Sequence, residues 1–244
     1  GPEDEAETLD APRHAIGDAR HPPHYAEVQP ALFGEVVTNR KASSCAEGAR
    51  IIVEKPFGHD LASAIALNDT IHDVFAESDV FRIDHYLGKE AVQNLLYFRF
   101  ANSFLEPIWD RDHVSSVQIN MPEALDVAAR GAFYEQAGAI RDVVQNHLLQ
   151  VVSLLAMEPP SGHTAEAIHN EQFKVIDSIR PLTPSDIVRG QYRGYRAVKG
   201  VASDSNVETF AAVRLHVDTW RWSGVPFSIR TGKPLPVTAA EARG

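Results

Sequence analysis

The sequence predicts an α+β chain: the remnant of a parallel α/β unit, followed by an antiparallel sheet packed with helices. Three observations predict it. Short β-branched runs alternate with helical spacing over the first hundred residues. Beyond Trp109 the pattern changes to longer runs of strict alternation. Between these runs, residues 139–157 form the strongest helical stretch of the chain.

The elements follow in order. Residues 1–20 are acidic and Ala-rich and are expected to be loose, with Gly1-Pro2 reading as a residual protease site. His24 to Gln29 is a short strand, and Pro30 opens a helix at its first turn. Arg50 to Val53 is a buried strand that stops at the turn Glu54-Lys55-Pro56-Phe57-Gly58. Asp60 to Glu77 has helical spacing, with Asp60 and Ser63 offering the N-terminal cap. Val80 to Ile83 is a second strand that delivers Asp84 and His85 at its end. Glu90 to Asn102 is a helix rich in Leu, Phe and Tyr. Val114 to Met121 alternates like a strand with one buried face. Ala139 to Met157 is helical, Val207 to Trp220 a long strand, and Val225 to Arg230 a shorter one. Three segments result: a lead over 1–23, the α/β remnant over 24–81, and an α+β domain over 82–244.

Composition excludes several classes. The 244 residues carry a formal charge of -10, which argues against nucleic acid or an anionic membrane as partner. An anionic ligand therefore needs a local cluster of Lys, Arg and His. No run approaches the ~18 apolar residues of a membrane span, and no charged-then-apolar leader opens the chain. The lone cysteine, Cys45, excludes an intrachain disulfide and fits a reducing, cytoplasmic setting. There is no metal-ligating His-Glu-x-x-His, no Gly-x-Ser-x-Gly elbow and no phosphate loop. No two glycines lie two or three residues apart, so no Gly-x-Gly-x-x-Gly fingerprint is present to seat a dinucleotide pyrophosphate.

Two stretches concentrate polar chemistry. Arg82 to Glu90 packs a carboxylate, an imidazole, a phenol and an ammonium around Gly88, which is expected to permit a tight turn. His85, Tyr86 and Lys89 are donors suited to a phosphate; the plainer alternative is a capping turn with surface charges. In Arg141 to Gln150, an advance of about 100° per residue gathers Asp142, Asn146 and Gln150 into a polar arc. His147 falls at the boundary with the apolar face, as a half-buried general base or a core-edge histidine. Lys55 and Lys233 each precede a proline and either point into a cleft or lie at a surface turn. Glu123 and Glu135 either orient sugar hydroxyls or are solvated.

These strings, taken together, resemble the glucose-6-phosphate dehydrogenase family, particularly its bacterial branch. The resemblance rests on Ile51 to Gly58 (IIVEKPFG), Arg82 to Glu90 (RIDHYLGKE), Val92 to Trp109 (VQNLLYFRFANSFLEPIW), Gly138 to Gln150 (GAIRDVVQNHLLQ) and Trp222 to Lys233 (WSGVPFSIRTGK). It covers most of residues 24–238 in family order and implies that the α/β remnant is Rossmann-like. It further implies that His147 takes the proton from the sugar C1 hydroxyl while hydride leaves to NADP, and that Asp84 orients His147. His85, Tyr86 and Lys89 then grip the substrate phosphate. Lys55 contacts substrate near the nicotinamide, a weak cofactor contact as well. Asp142 binds sugar hydroxyls, and Glu123 and Lys233 add further substrate contacts.

The chain departs from the family pattern at Asp126-Val127-Ala128-Ala129-Arg130, where two glycines and a glutamate are replaced, so the loop is expected to be reshaped. Family members also extend beyond this chain at both ends, with a glycine fingerprint on one side and further strands on the other. Three alternatives follow. One is a glucose-6-phosphate dehydrogenase, or part of one, using NADP with a complementing chain or as a homo-oligomer. A second is a cofactor-free sugar-phosphate isomerase, anomerase or lactonase. A third is a non-catalytic hexose-phosphate-binding paralogue.

Overall fold

The computed structural model describes residues 19, 21–26, 34–38, 48–55, 57–58 and 60–244. Most of the lead expected over 1–23, the helix start at Pro30, Cys45 and Pro56 lie outside them. The chain divides into two compact units, Gly1–Asp84 and His85–Gly244.

In the first unit, β1 (Pro23–Ala26), β2 (Arg50–Glu54) and β3 (Val80–Ile83) form a parallel sheet in the order β1-β2-β3. The register pairs Tyr25 with Ile52 and Ile52 with Phe81. Ile51 and Val53 project to one side, where they pack with Val37, Ile71 and Phe75. Helix α1 (Leu61–His72) connects β2 to β3, as a parallel crossover requires. It opens on the expected capping box: Asp60 accepts from the Ser63 N–H and the Ser63 hydroxyl accepts from the Asp60 N–H. It ends five residues before Glu77 because residues 77–79 tighten into a 3-10 turn that feeds β3.

The second unit opens with α2 (Glu90–Phe100) and continues into β4 (Val117–Pro122), α3 (Gly131–Ala139) and a π-helical segment, Ile140–Leu148. Then come α4 (Leu149–Ala156), α5 (Ala165–Asp177), β5 (Ile187–Gly190), β6 (Phe210–His216), β7 (Pro226–Gly232) and β8 (Glu241–Arg243). The sheet order is β5-β6-β7-β4-β8. Its pairings are antiparallel except β4–β7, which runs parallel with Val117 opposite Phe227 and Pro122 opposite Gly232. The sheet expected to be antiparallel is therefore mixed, because the chain passes through the helices before β7 joins β4. One sheet face carries Val117, Ile119, Met121, Val213, Leu215, Phe227 and Ile229 into a core shared with Leu148, Val152 and Leu155.

The strand expected over Val207 to Trp220 is shorter at both ends. Thr209 N–H turns away to bond Gly190 O, and the Trp222 N–H closes a turn on Thr219 O. Helix α5 and strands β5 and β8 had no clear periodic signal: α5 exposes Phe173, and β5 leaves Val188 on the surface.

Helix α4 is fixed at its C-terminus by distant side chains. A helix leaves its last carbonyls without internal partners. Arg99 Nη1 donates to Leu154 O (2.9 Å), Trp109 Nε1 to Leu155 O (2.8 Å) and Trp222 Nε1 to Ala156 O (2.8 Å). Arg99 is fully buried, and burial pushes its guanidinium down to about 10, against the opposing pull of Glu106. Its positive charge also suits the negative end of the helix dipole.

Candidate active site

Lys55 follows β2 and Asp84 follows β3, both partly exposed within the first unit. The remaining sequence-predicted residues belong to the second unit. His85 to Gly88 form a turn closed by Gly88 N–H on His85 O (3.2 Å) and Lys89 N–H on Tyr86 O (3.1 Å). Gly88 does not have a positive φ, and an added Cβ would meet only His85 O at 3.4 Å. The turn therefore does not depend on glycine, contrary to expectation.

The turn brings three groups together. The Tyr86 ring lies 4.9 Å from the His147 ring and that of His85 5.4 Å, centroid to centroid. Lys89 Nζ sits 4.4 Å above the Tyr86 ring, a cation–π contact. Tyr86 is buried, while His85 and Lys89 are exposed. The result is a histidine whose surroundings are aromatic on one side and cationic beyond.

A second group forms where β4 and β7 end side by side. Their parallel register sets Pro122 opposite Gly232, so the residues that follow, Glu123 and Lys233, emerge as neighbours. Lys233 Nζ stands 3.0 Å from Glu123 Oε2 and 3.5 Å from Asp142 Oδ2. It also lies 5.4 Å from the Tyr134 ring centroid. Lys233 is 11% exposed and Asp142 9% by side chain, whereas Glu123 keeps 32%.

Asp142 joins the two groups through the helix it shares with His147. Leu149 N–H bonds Val144 O, five residues back, so the hydrogen-bond spacing is i→i+5. That spacing turns His147 closer to the direction of Asp142 than a 3.6-residue period predicts. Burial agrees: Asp142 is 8% and His147 7% exposed, so the imidazole is buried rather than half-buried. Asn146 instead turns its amide to Arg141 O at 3.1 Å. π-turns inside helices recur at functional sites, where they re-aim side chains.

Two residues were missed by sequence reasoning. Tyr134 is buried, and its hydroxyl has no hydrogen-bond partner among the described residues. Burial holds that hydroxyl protonated well above the usual tyrosine range, with the negative charges of Asp142, Glu123 and Glu208 adding to the effect. Glu208, also buried, accepts from the Ile140 N–H at 3.0 Å. Neither residue lies in a motif, and only the fold brings them here. Glu135 is half-buried, and its carboxylate accepts from Tyr195 Oη (3.1 Å) and Ser205 Oγ (2.8 Å).

Comparison with known proteins identifies the frame in which this geometry sits. The family model for the glucose-6-phosphate dehydrogenase C-terminal domain matches residues 96–243, and that for the NAD binding domain of the same enzymes matches 6–94. The chain belongs to the glucose-6-phosphate dehydrogenase family. It is 48% identical over 239 residues to glucose-6-phosphate 1-dehydrogenase 1 of Mycobacterium tuberculosis, covering 98% of this chain and 51% of that protein. A crystal structure of glucose-6-phosphate 1-dehydrogenase from Mycobacterium avium superposes with a TM-score of 0.94 at 45% identity, covering 99% of this chain and 53% of that one. A glucose-6-phosphate dehydrogenase solved with its substrate glucose-6-phosphate gives a TM-score of 0.90 at 38% identity, with 99% and 54% covered. The chain thus spans about half the length of the glucose-6-phosphate dehydrogenases it matches.

Glucose-6-phosphate dehydrogenases are oxidoreductases, and the family's domain binds a nicotinamide dinucleotide. Among the described residues, one helix start bears on the pyrophosphate of such a cofactor, and it does not suit an anion. The helix that follows β2 begins at Asp60, whose carboxylate accepts from the Ser63 N–H of its first turn. An anion there repels a second anion instead of leaving the helix end open to it. No helix among the described residues is long and apolar enough to cross a membrane.

Proposed function

We propose that this chain carries the glucose 6-phosphate-recognising part of a glucose-6-phosphate dehydrogenase, with His147 as the base at the sugar C1 hydroxyl. The observation that carries this reading is the burial of His147, faced by His85 and Tyr86, on the same π-helical segment as Asp142, which is paired to Lys233. The solved relative bound to glucose-6-phosphate supports it.

In this reading His85, Tyr86 and Lys89 hold the phosphate. Lys89 supplies charge and a charge-assisted hydrogen bond, and Tyr86 a neutral donor. Their local positive field works against the net charge of -10. Glu123, Lys233 and Asp142 form an alternating row of acceptor, donor and acceptor. Sugar hydroxyls both donate and accept, so such a row can replace their water shell without leaving a polar group unpaired. His147 accepts the C1 hydroxyl proton, a general-base step. Asp84 is proposed to orient His147, and Lys55 to contact the substrate from the first unit.

Oxidation at C1 also requires a hydride acceptor. NADP fills that role in the reading taken from the family, and for this chain the proposal extends to substrate binding and proton acceptance.

Proton NMR of glucose 6-phosphate incubated with the chain, with and without NADP, tests the proposal. Saturable broadening or shift of the sugar signals supports recognition. Product that forms only with NADP extends the reading to the dehydrogenase, and product without NADP redirects it to cofactor-free chemistry. Signals unchanged at millimolar substrate would overturn it.

A further inference from the structure

We propose that the dipeptide Glu208-Thr209 positions the candidate site, with Glu208 as the residue that sets where Asp142 and His147 stand. The inference rests on the assignment of those two residues to the sugar site.

The π-helical segment begins without a local cap. Gly138, at φ 65° and ψ 178°, breaks the run of helical backbone, and Ala139 provides no side-chain cap. The first N–H groups of the segment therefore need partners from elsewhere. Glu208 supplies two. Its main-chain oxygen accepts from Ala139 N–H at 2.9 Å, and its carboxylate accepts from Ile140 N–H at 3.0 Å. Negative charge at a helix N-terminus is also favoured by the dipole. The start of the segment is thus clamped by one residue 68 positions later in the chain.

The clamp needs glycine at 138 twice over. The positive φ is strained for any residue with a side chain. A Cβ there would lie 2.6 Å from Glu208 Oε1 and 3.0 Å from Val207 Cγ1.

Thr209 does the same for the opposite partner. Its oxygen accepts from Lys233 N–H at 2.8 Å, and it is itself fully buried, with its own N–H on Gly190 O at 2.8 Å. Gly232 allows this approach, since a Cβ there would meet Phe210 Cδ2 at 2.9 Å and Thr209 O at 3.2 Å. One dipeptide at the head of β6 therefore holds both sides of the Lys233–Asp142 pair. Glu208 fixes the helix that carries Asp142 and His147, and Thr209 fixes the backbone of Lys233.

Glu208 acts through these residues and touches none of the reacting atoms in the proposed chemistry. The variants that test it are Glu208→Ala, which removes the acceptor, and Glu208→Gln, which keeps an acceptor oxygen of the same reach. Two readouts serve: the His147 imidazole resonances without ligand, and the affinity for glucose 6-phosphate by calorimetry. Glu208→Ala should move the His147 resonances and weaken binding by about tenfold, the scale of a lost helix cap. Glu208→Gln should restore both to within about threefold of wild type.

Wild-type His147 resonances and affinity in Glu208→Ala would overturn the proposal, as would Glu208→Gln behaving like Glu208→Ala. If Glu208→Ala does not fold, Glu208→Asp takes its place. One methylene shorter, it should fall between Gln and the loss, and wild-type values in both readouts would overturn the proposal. If the wild-type chain itself does not bind glucose 6-phosphate, the functional reading fails. The ligand-free His147 resonances then still decide whether Glu208 positions that residue.

Discussion

Asp142 and His147 stand one π-turn apart, both buried, on a segment whose hydrogen bonds run five residues back. That spacing takes two polar residues that an ordinary helix would point in different directions and brings those directions closer together. One reaches Lys233, which also pairs with Glu123; the other faces His85 and Tyr86. A site for a polyol phosphate needs this division, because its two ends differ in charge.

His147→Ala should abolish any turnover of glucose 6-phosphate that the wild-type chain shows with or without NADP, while leaving affinity within about tenfold, or ~1.4 kcal/mol. The change removes the base without removing phosphate contacts. Following the C1 proton signal gives turnover, and calorimetry gives affinity. Unimpaired turnover would refute the role of His147.

Lys89→Ala should weaken glucose 6-phosphate by about 1.5–3 kcal/mol, the range for a hydrogen bond to a charged group. It should leave the weaker binding of unphosphorylated glucose unchanged. Equal losses for both sugars would place Lys89 away from the phosphate. The wild-type affinity should also fall as salt rises, and the variant's should respond less.

Arg99→Leu should destabilise the second unit by about 1–3 kcal/mol, because it leaves the Leu154 carbonyl without its donor, while Glu106 keeps Arg221 at 2.7 Å. Urea unfolding of the chain measures this. A loss below about 1 kcal/mol would show that the carbonyl finds another donor.

Glu158 gives a pH prediction with a definite sign. Its hydrogen bonds from Arg221 hold the carboxyl below its ordinary value of 4.5, against the opposing effect of burial. A depressed carboxyl stabilises the fold above its unfolded value, and that stabilisation is lost as pH falls through the folded one. Stability should therefore drop as pH falls below about 4.5, and Glu158→Gln should flatten that slope. The effect should be small, since Glu158 remains 49% exposed and solvent screens the pair. An unchanged slope in the variant would assign the acid loss to other groups.

Much of this was legible in the sequence, for identifiable reasons. The β-branched run at Ile51–Val53 and the alternation at Val117–Met121 and Phe227–Ile229 were visible because one face of each strand is buried. Asp60 and Ser63 announced the start of α1 because a capping box is local chemistry. What failed was local period applied where tertiary contacts overrule it. A 3.6-residue period set Asp142 and His147 too far apart in direction, since nothing in Ile140–Leu148 announces a π-turn. Glu208 and Tyr134 were invisible because their partners lie across the fold. The parallel pairing of β4 with β7, which makes Glu123 and Lys233 neighbours, is likewise a property of topology.

The most direct test of the central claim is a titration of the chain with glucose 6-phosphate, followed through the His147 and His85 imidazole resonances. The account predicts saturable movement of both, with glucose alone moving them far less and inorganic phosphate moving His85 more than His147. No movement of either resonance at millimolar glucose 6-phosphate would contradict it.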